Sequence, residues 1–365
     1  MFKILCEMPF RNSVWCNEIL SGLINSLKKR RYAYKEIYDV NSLNTEDWVL
    51  VLGTNPVWLS NAVTLSNQKG ITPIVFAPRS DDIAGRYHSV YTDLNKLISA
   101  LVQALYGNNK KRIALYGINP ASVSDMFRMK SFKNATANSA QVFFNNGSLD
   151  ACFTSFLPYS ENFDAIICPN SPVAASLVQK LYESNTSVNE ECTIISCTKN
   201  FLPAEFSKKI LYTDTMYHTL GDLALIIYDC VKRKENIACI TIYADYKTDA
   251  ALHTAPQEPN EQLASADTDS FYQDITANNY LNIDKLFQQS DKTDRQILIM
   301  LTEGYAYSAI AEQCFISESS VKYRMKKMMK LAHVNSKQKL IEILKKYYVK
   351  NEGKSLRFFN LQIRV

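Results

Sequence analysis

The most chemically suggestive stretch of the sequence is residues 322–330, where cationic side chains cluster around one tyrosine. The stretch contains Lys322, Tyr323, Arg324, Lys326, Lys327 and Lys330. Lysine and arginine attract the phosphates of nucleic acids, and a helix that exposes them fits the major groove of B-DNA. The charge alone is equally consistent with a solvated, lysine-rich surface.

These side chains belong to a predicted helix over Ser319–Ala332. Its apolar residues recur at helical spacing and form a separate face: Val321, Met325, Met328 and Ala332. Three further helices are predicted in the same region: Lys292–Glu303, Tyr307–Cys314 and Ser336–Tyr348. A short helix, a tight turn and a second helix with exposed cations are typical of a helix-turn-helix. A small helical bundle with solubilising lysines fits the same pattern.

The charge of the chain is concentrated towards its C-terminal end. Residues 291–365 hold 15 lysines and arginines against 7 aspartates and glutamates, whereas the remaining residues hold 26 against 29. A basic segment on a nearly neutral body is typical of a nucleic-acid-binding module. We therefore expect double-stranded DNA as a partner.

The sequence offers little for catalysis or metal binding. Its nine cysteines form no C-x-x-C pair and its four histidines lie far apart, so we expect no metal centre, no cofactor and no disulfide framework. Glycine-rich phosphate loops, the nucleophile elbow and the zinc-protease motif are absent from the sequence. An α/β enzyme is therefore an alternative that no motif supports, and we expect a protein without enzymatic activity.

The hydrophobic pattern bears on localisation. No apolar run approaches the roughly 18–20 residues that a membrane-spanning helix needs. The first ten residues carry Lys3 and Glu7 and lead into no small-residue cleavage site, so we expect no secretory signal. A cytoplasmic protein with reduced cysteines is the expectation.

Up to about residue 246, short apolar runs alternate with longer runs of helical period. The predicted strands are Phe2–Met8, Trp48–Leu52, Ile71–Phe76, Arg112–Tyr116, Asp164–Cys168 and Cys192–Cys197. The predicted helices are Ser13–Arg31, Pro56–Gln68, Asp93–Tyr106, Ala121–Asn134, Pro172–Glu183 and Thr215–Lys234. Strands that are apolar throughout and separated by helices are typical of parallel sheets covered on both faces. The length of this region favours two doubly wound lobes.

The remaining residues divide into three segments. Residues 251–287 are predicted to be a linker, because the sequence becomes polar and mildly acidic and contains Pro256 and Pro259. Residues 288–348 form the predicted helical domain. Residues 349–365 are a tail whose alternating end, from Phe358 to Val365, predicts a half-buried strand or a frayed terminus.

The predicted helical domain resembles the LuxR-type helix-turn-helix domain. The resemblance rests on the run from Thr293 to Gly304, followed by Ala309-Ile-Ala311, Ile316-Ser317, Ser320-Val-Lys322 and Val334. It implies that Ser319–Ala332 is the recognition helix and that its cationic residues face DNA. The chain departs from the family at Arg324, where a histidine is frequent, and at Ala332-His333, where Leu-Gly is usual.

The first 250 residues resemble the sugar-binding, periplasmic-binding-protein-like core of LacI-type repressors. The resemblance rests on Pro9-Phe-Arg-Asn-Ser-Val-Trp15 after the first strand, on Ser122-Val-Ser-Asp-Met-Phe-Arg128, and on Cys168-Pro-Asn170. It implies two lobes that close on a small ligand and that the chain crosses three times. The first lobe would hold about 1–109 and 215–234, and the second about 110–213 and 237–246.

The same resemblance implies four ligand-binding residues. Asn12 and Trp15 match the loop after the first strand, Arg128 matches a ligand-binding arginine, and Asn170 matches an asparagine at the mouth of the cleft. Core packing is the alternative for Trp15, and a surface position is the alternative for Arg128. Ser171 stands where the family usually has an aspartate, so the expected ligand is a small metabolite that is sugar-like or anionic.

These patterns together predict a ligand-responsive transcriptional regulator that binds DNA as a homodimer. Closure of the lobes on the ligand would change the spacing of the two recognition helices. The alternatives are a regulator whose core has lost ligand binding and serves dimerisation, and the α/β enzyme named above.

Overall fold

A computed structural model describes residues 1–136, 140–184, 192–199, 210–213, 215–233, 238–246 and 271–347. The predicted fold class is confirmed, because two parallel α/β sheets form two lobes and a small all-α region follows them. None of the helices in these ranges combines the length and the apolar character that crossing a membrane requires.

The first lobe is a parallel sheet covered by helices on both faces. Its strands are β1 (Phe2–Cys6), β2 (Tyr34–Ile37), β3 (Trp48–Leu52), β4 (Ile74–Val75), β5 (His88–Thr92) and β11 (Thr241–Ala244). Its helices are α1 (Met8–Arg11), α2 (Val14–Lys29), α3 (Pro56–Gln68) and α8 (Leu220–Arg233). The strand order is β11-β5-β4-β3-β1-β2. Every residue of the inner strand β1 is buried, as a sheet with two covered faces requires.

The second lobe repeats this arrangement. Its strands are β6 (Ile113–Ile118), β7 (Gln141–Phe144), β8 (Ala165–Cys168), β9 (Thr193–Ser196) and β10 (Ile210–Tyr212). Its helices are α4 (Leu94–Gly107), α5 (Val123–Ala135), α6 (Leu149–Phe156) and α7 (Ser171–Glu183). The strands are parallel and lie in the order β10-β9-β8-β6-β7.

The C-terminal helices follow residue 270. They are α9 (Ile275–Gln288), α10 (Lys292–Thr302), α11 (Tyr307–Gln313), α12 (Glu318–Leu331) and α13 (Lys337–Tyr347). Each of the last four begins and ends within one residue of the helix that the sequence predicted. The cores of the second lobe and of these helices form a single cluster of buried side chains. The helical region is therefore packed on the second lobe.

Two parts of the predicted lobe division are wrong. Strand β11 pairs in parallel with β5, with Thr241 opposite Ser89, and so belongs to the first lobe instead of the second. Helix α4 packs on α5, and its buried Leu97 and Leu101 join the core beneath β6, so α4 belongs to the second lobe. The order of elements along the chain cannot show to which lobe β11 and α4 belong. A strand pairs where a sheet has an open edge, and a helix packs where a sheet has an uncovered face.

The predicted linker over 251–287 is wrong for the part that α9 occupies. Asp274 caps this helix by accepting a hydrogen bond from the backbone N–H of Thr276 at 2.8 Å. One face of α9 is buried, including Leu281 and Phe287, whereas the rest is polar, which explains why the stretch reads as a linker. Residues 251–270 and the predicted tail strand at 349–365 lie outside the described residues.

A buried histidine connects two strands of the first sheet. His88 is 1% exposed, and its Nδ1 accepts a hydrogen bond from the backbone N–H of Ile240 at 3.0 Å. Burial, together with the nearby positive charges of Arg86 and Arg79, lowers the pKa of His88 to about 4. The imidazole is therefore neutral in the folded protein at neutral pH.

We expect acid to destabilise the protein through His88. Because the folded pKa lies below the ordinary value of 6.5, the unfolded chain binds the proton first, and stability falls as the pH drops from about 6.5 to 4. The loss attributable to this group reaches about 3 kcal/mol. Measuring the free energy of unfolding of the wild type and of His88→Asn across this pH range separates the contribution of His88 from that of the carboxylates. Equal pH dependence in both proteins would contradict the assignment.

Candidate functional site

Helix α12 is held in place by a short turn and an apolar face. Ser317 caps its N-terminus by accepting a hydrogen bond from the backbone N–H of Ser320 at 3.1 Å. Val321, Met325 and Met328 are buried against the neighbouring helices. This packing fixes the orientation of α12, so the opposite side of the helix faces solvent.

The solvent side of α12 carries most of the cationic residues that the sequence singled out. The exposed residues are Lys322, Tyr323, Lys326, Lys327 and Lys330. Lys322 pairs with Glu318 one turn earlier at 2.7 Å, and that hydrogen bond raises the pKa of Lys322. We call these five residues the cationic face. It presents positive charge and one aromatic hydroxyl over two turns of an exposed helix.

Arg324, which was also expected to face DNA, is less exposed than these five residues and is engaged in ion pairs with a neighbouring helix. Its Nη1 lies 2.8 Å from Asp291 Oδ2 and 2.7 Å from Asp294 Oδ1, at the N-terminus of α10. The side chain of Asp294 is 2% exposed, and the guanidinium compensates its burial. The hydrogen bond from Arg324 also lowers the pKa of Asp291. Arg324 therefore joins α12 to α10 as a structural residue.

A cavity of about 70 Å³ lies between the lobes, at the carboxyl ends of the strands. Three of the four predicted ligand residues line it: Trp15, Arg128 and Asn170. Asn12 does not line the cavity, because it ends α1 and its side chain is exposed. Its predicted ligand contact is therefore not part of this site.

Arg128 is the principal charged group of the cavity. It is 4% exposed, and its Nη1 donates to Asp125 Oδ1 at 2.7 Å while Nη2 donates to the Tyr217 hydroxyl at 3.3 Å. Burial raises the pKa of Asp125, and the attraction of the guanidinium limits that rise. The Nε of Arg128 is buried and finds no hydrogen-bond acceptor among the described residues. A ligand oxygen in the cavity would satisfy it.

Asn170 serves first as a structural residue. Its Oδ1 accepts a hydrogen bond from the backbone N–H of Val173 at 3.1 Å and so caps α7. The next residue, Ser171, donates its backbone N–H to Thr198 Oγ1 at 3.2 Å and its hydroxyl to Asp284 Oδ2. Asp284 belongs to α9 and is 2% exposed. A carboxylate from the C-terminal region thus reaches the N-terminus of α7 beside the cavity.

Two aromatic residues that the sequence analysis missed complete the cavity. Phe271 and Tyr272 precede α9 and lie in its wall. Tyr272 and Trp15 each pack against the buried cores of both lobes. An aromatic pair inside an otherwise polar stretch was the available signal, but the residues that share the cavity with this pair, such as Trp15 and Arg128, lie more than 140 positions earlier. The segment that leads into the helical region therefore forms part of the cavity wall.

Helix α9 makes hydrogen bonds to both lobes. At its N-terminus, Asp274 Oδ2 accepts a bond from the backbone N–H of Leu149 in the second lobe at 2.6 Å. At its C-terminus, Gln288 Nε2 donates to the backbone carbonyl of Val14 in the first lobe at 3.2 Å. Helix α9 consequently spans the two lobes and continues into the helices that carry the cationic face.

Within the described residues, no cluster of histidine, cysteine, aspartate or glutamate could hold a metal ion. The cysteines of the described residues are free thiols. Burial raises the pKa of Cys197 beside Arg128 to about 12, so this thiol is protonated at neutral pH. The cavity therefore offers hydrogen bonds, one guanidinium and aromatic surface.

The helical region matches a known domain family. Residues 292–344 match the bacterial regulatory proteins of the luxR family. This segment is a LuxR-type helix-turn-helix domain. Helices α11 and α12 form the helix-turn-helix of the LuxR-type domain. No curated protein matches the chain as a whole.

The two lobes resemble solved structures of sugar-related binding proteins and regulators. The transcriptional regulator CelR in complex with cellobiose is 13% identical, with a TM-score of 0.57 over 67% of this chain and 82% of that chain. The LacI family regulator CCPA from Weissella paramesenteroides, with bound sucrose, is 15% identical, with a TM-score of 0.53 over 68% and 96%. The glucose-galactose binding protein GanP from Geobacillus stearothermophilus is 11% identical, with a TM-score of 0.54 over 67% and 95%.

At this level of identity the likeness establishes the fold. A LacI-like, periplasmic-binding-protein-like core therefore precedes the LuxR-type domain, as the sequence predicted. In LacI-type repressors the DNA-binding module precedes the core, so this chain joins the two parts in the opposite order.

We expect Arg324→Ala to destabilise the LuxR-type domain without removing its cationic face. The substitution leaves the buried Asp294 carboxylate without its cation, at a cost of about 1–3 kcal/mol. Thermal unfolding of the full chain measures this, with Lys327→Ala as a control because Lys327 is exposed on the same helix. If Arg324→Ala unfolds at the wild-type temperature, the ion pair contributes nothing to the stability of the domain.

Proposed function

We propose that this protein is a transcriptional regulator that binds double-stranded DNA through the cationic face of α12. The observation that carries the proposal is the exposure of this face within a LuxR-type helix-turn-helix domain. Lysines on the open side of a recognition helix contact the phosphates that border the major groove. We also propose that two copies of the chain bind together as a homodimer, because a helix-turn-helix domain reads one half-site and a dimer reads two.

We further propose that a small molecule binds between the lobes and alters DNA binding. The unpartnered Nε of buried Arg128 and the aromatic side chains of the cavity support this. Guanidinium donors recognise hydroxyl or carboxylate oxygens, and aromatic rings pack against sugar faces. Both sugars and small anions are candidate effectors, and the relatives with bound sucrose or cellobiose favour the first class.

Helix α9 provides the physical connection between these two activities. Its hydrogen bonds reach Leu149 in one lobe and Val14 in the other. A change in the angle between the lobes must therefore break one of these contacts or move α9. Because α9 packs on α12, such a movement changes the placement of the cationic face. An effector acts in this way only if it binds the two arrangements with different affinity.

A second candidate has one observation in its favour. The cavity has room for only a few water molecules, and Phe271 and Tyr272 of the same chain line it. A core that serves only dimerisation needs no larger cavity, because it binds no ligand. The effector experiment below separates this candidate from the first.

We expect Lys326→Glu to weaken DNA binding at least about tenfold at low salt, because it replaces an attractive charge at the phosphates with a repulsive one. The affinity of the full chain for a mixed-sequence duplex is measured over a range of salt concentrations. The variant should bind more weakly, and its plot of log affinity against log salt concentration should be shallower by about one or two released ions. Lys29→Glu, an exposed change on α2, is the charge-matched control. Unchanged affinity in Lys326→Glu would refute the assigned face.

We expect a true effector to stabilise the protein by about 2.7 kcal/mol when present at about 100 times its dissociation constant. Thermal-shift measurements on the wild type against neutral sugars and small anions identify it. Arg128→Lys retains the positive charge beside Asp125 but lacks Nε and the planar fork, so it should lose most of that shift. Arg112→Lys, on the surface of the second lobe, should retain it. A full shift in Arg128→Lys would place the ligand elsewhere, and no shift with any compound would favour the second candidate.

A further inference from the structure

Phe315 lies in the turn between α11 and α12 and is the most exposed of the large apolar side chains in the described part of the chain. Its relative exposure is 94%. It immediately follows Cys314, which ends α11, and it precedes the capping residue Ser317 by two positions. The aromatic ring is therefore exposed to solvent just before the N-terminus of the recognition helix.

The backbone at Phe315 is also unfavourable. Its φ is +55°, in the left-handed region where a side chain with a Cβ is strained. Two hydrogen bonds fix this conformation, because the N–H of Phe315 donates to Glu312 O at 3.2 Å and that of Ile316 donates to Ala311 O at 3.0 Å. Glycine fits such a turn without strain. The turn thus carries a strained residue whose ring gains nothing from burial.

Folding therefore does not account for phenylalanine at this position, since its backbone is strained and its exposed ring gains no free energy from burial. The residues that follow it indicate a role in binding. The ring precedes a helix whose open side bears Lys322 and Lys326, and the exposed aromatic Tyr323 lies on that same helix. An exposed apolar side chain in the turn before a helix that exposes cations suits duplex DNA, which offers both phosphates and the methyl groups of thymine.

We propose that Phe315 is a DNA-contacting residue that packs against thymine methyl groups in the major groove. This inference rests on the proposed DNA binding. The N-terminal end of a recognition helix is the part that approaches base edges, and the C5-methyl of thymine is the apolar group that the major groove presents. Phe315 adds a preference for A·T pairs to the sequence-independent attraction of the lysines.

The experiment uses the full chain and a duplex that the wild type selects from a random pool. Phe315→Ala removes the ring but keeps the strained backbone, whereas Phe315→Gly removes both. We expect both variants to lose affinity for the selected duplex at least about fivefold, as the loss of a base contact does. Only Phe315→Gly should also unfold at a higher temperature. Tyr182→Ala, at another exposed aromatic residue on α7, is the control and should change neither property.

The same duplex with deoxyuridine in place of thymidine tests the methyl contact directly. We expect the wild type to bind the uracil duplex several-fold more weakly than the thymine duplex, and both Phe315 variants to bind the two duplexes equally. A uracil effect that persists unchanged in Phe315→Ala would overturn the assignment to the methyl groups. Phe315 variants that bind the thymine duplex as tightly as the wild type would overturn the DNA contact and leave a protein partner as the occupant of this surface.

Failure of this inference can be distinguished from failure of the proposed function. If Lys326→Glu loses affinity while the Phe315 variants do not, the DNA-binding function stands and the role of Phe315 is refuted. If the wild type selects no duplex even at low salt, both are refuted.

Discussion

The burial of α9 against the second lobe is the interaction on which the arrangement of the whole chain depends. Leu286 and Phe287 are fully buried, and the cluster they join extends from the sheet of the second lobe to Ile297 and Met325 in the LuxR-type domain. Each fully buried apolar side chain of this size contributes about 1.5–3 kcal/mol. Asp284 adds a buried polar contact at the start of α7, which requires one specific position of the helix along its axis. The LuxR-type domain is consequently fixed relative to the second lobe.

Much of the fold could be predicted from the sequence because its central strands are buried on both faces. Strand β8 is apolar throughout and β1 carries one polar residue, the buried Lys3, so each reads as a nearly continuous apolar run. The edge strand β2 could not be recognised, since Lys35 and Glu36 lie on a partly solvated edge. Strand β5 was missed for another reason. It contains polar residues that the fold satisfies internally, as when the Ser89 hydroxyl donates to the carbonyl of Ala77.

The site was predicted in part, for a related reason. The cationic face follows from helical periodicity, because local spacing determines which side of α12 packs. Arg324 has the same local pattern as its neighbours, yet two aspartates about thirty positions earlier bind it. Phe271, Tyr272 and Asp284 meet their partners through contacts between distant parts of the chain, and no local pattern encodes such contacts. Arg128 and Trp15 were found through family resemblance, which carries information about distant contacts.

The small volume between the lobes has a kinetic consequence. About 70 Å³ accommodates a few waters, which is less space than a molecule the size of a disaccharide needs. Entry of such a molecule requires the lobes to part first, which removes Trp15 or Tyr272 from contacts with one of the two cores. The rate of opening then limits association, and the observed rate constant reaches a plateau as the concentration of the molecule increases. Binding of such a molecule would thus proceed at a speed set by the aromatic packing of the protein, however high its concentration.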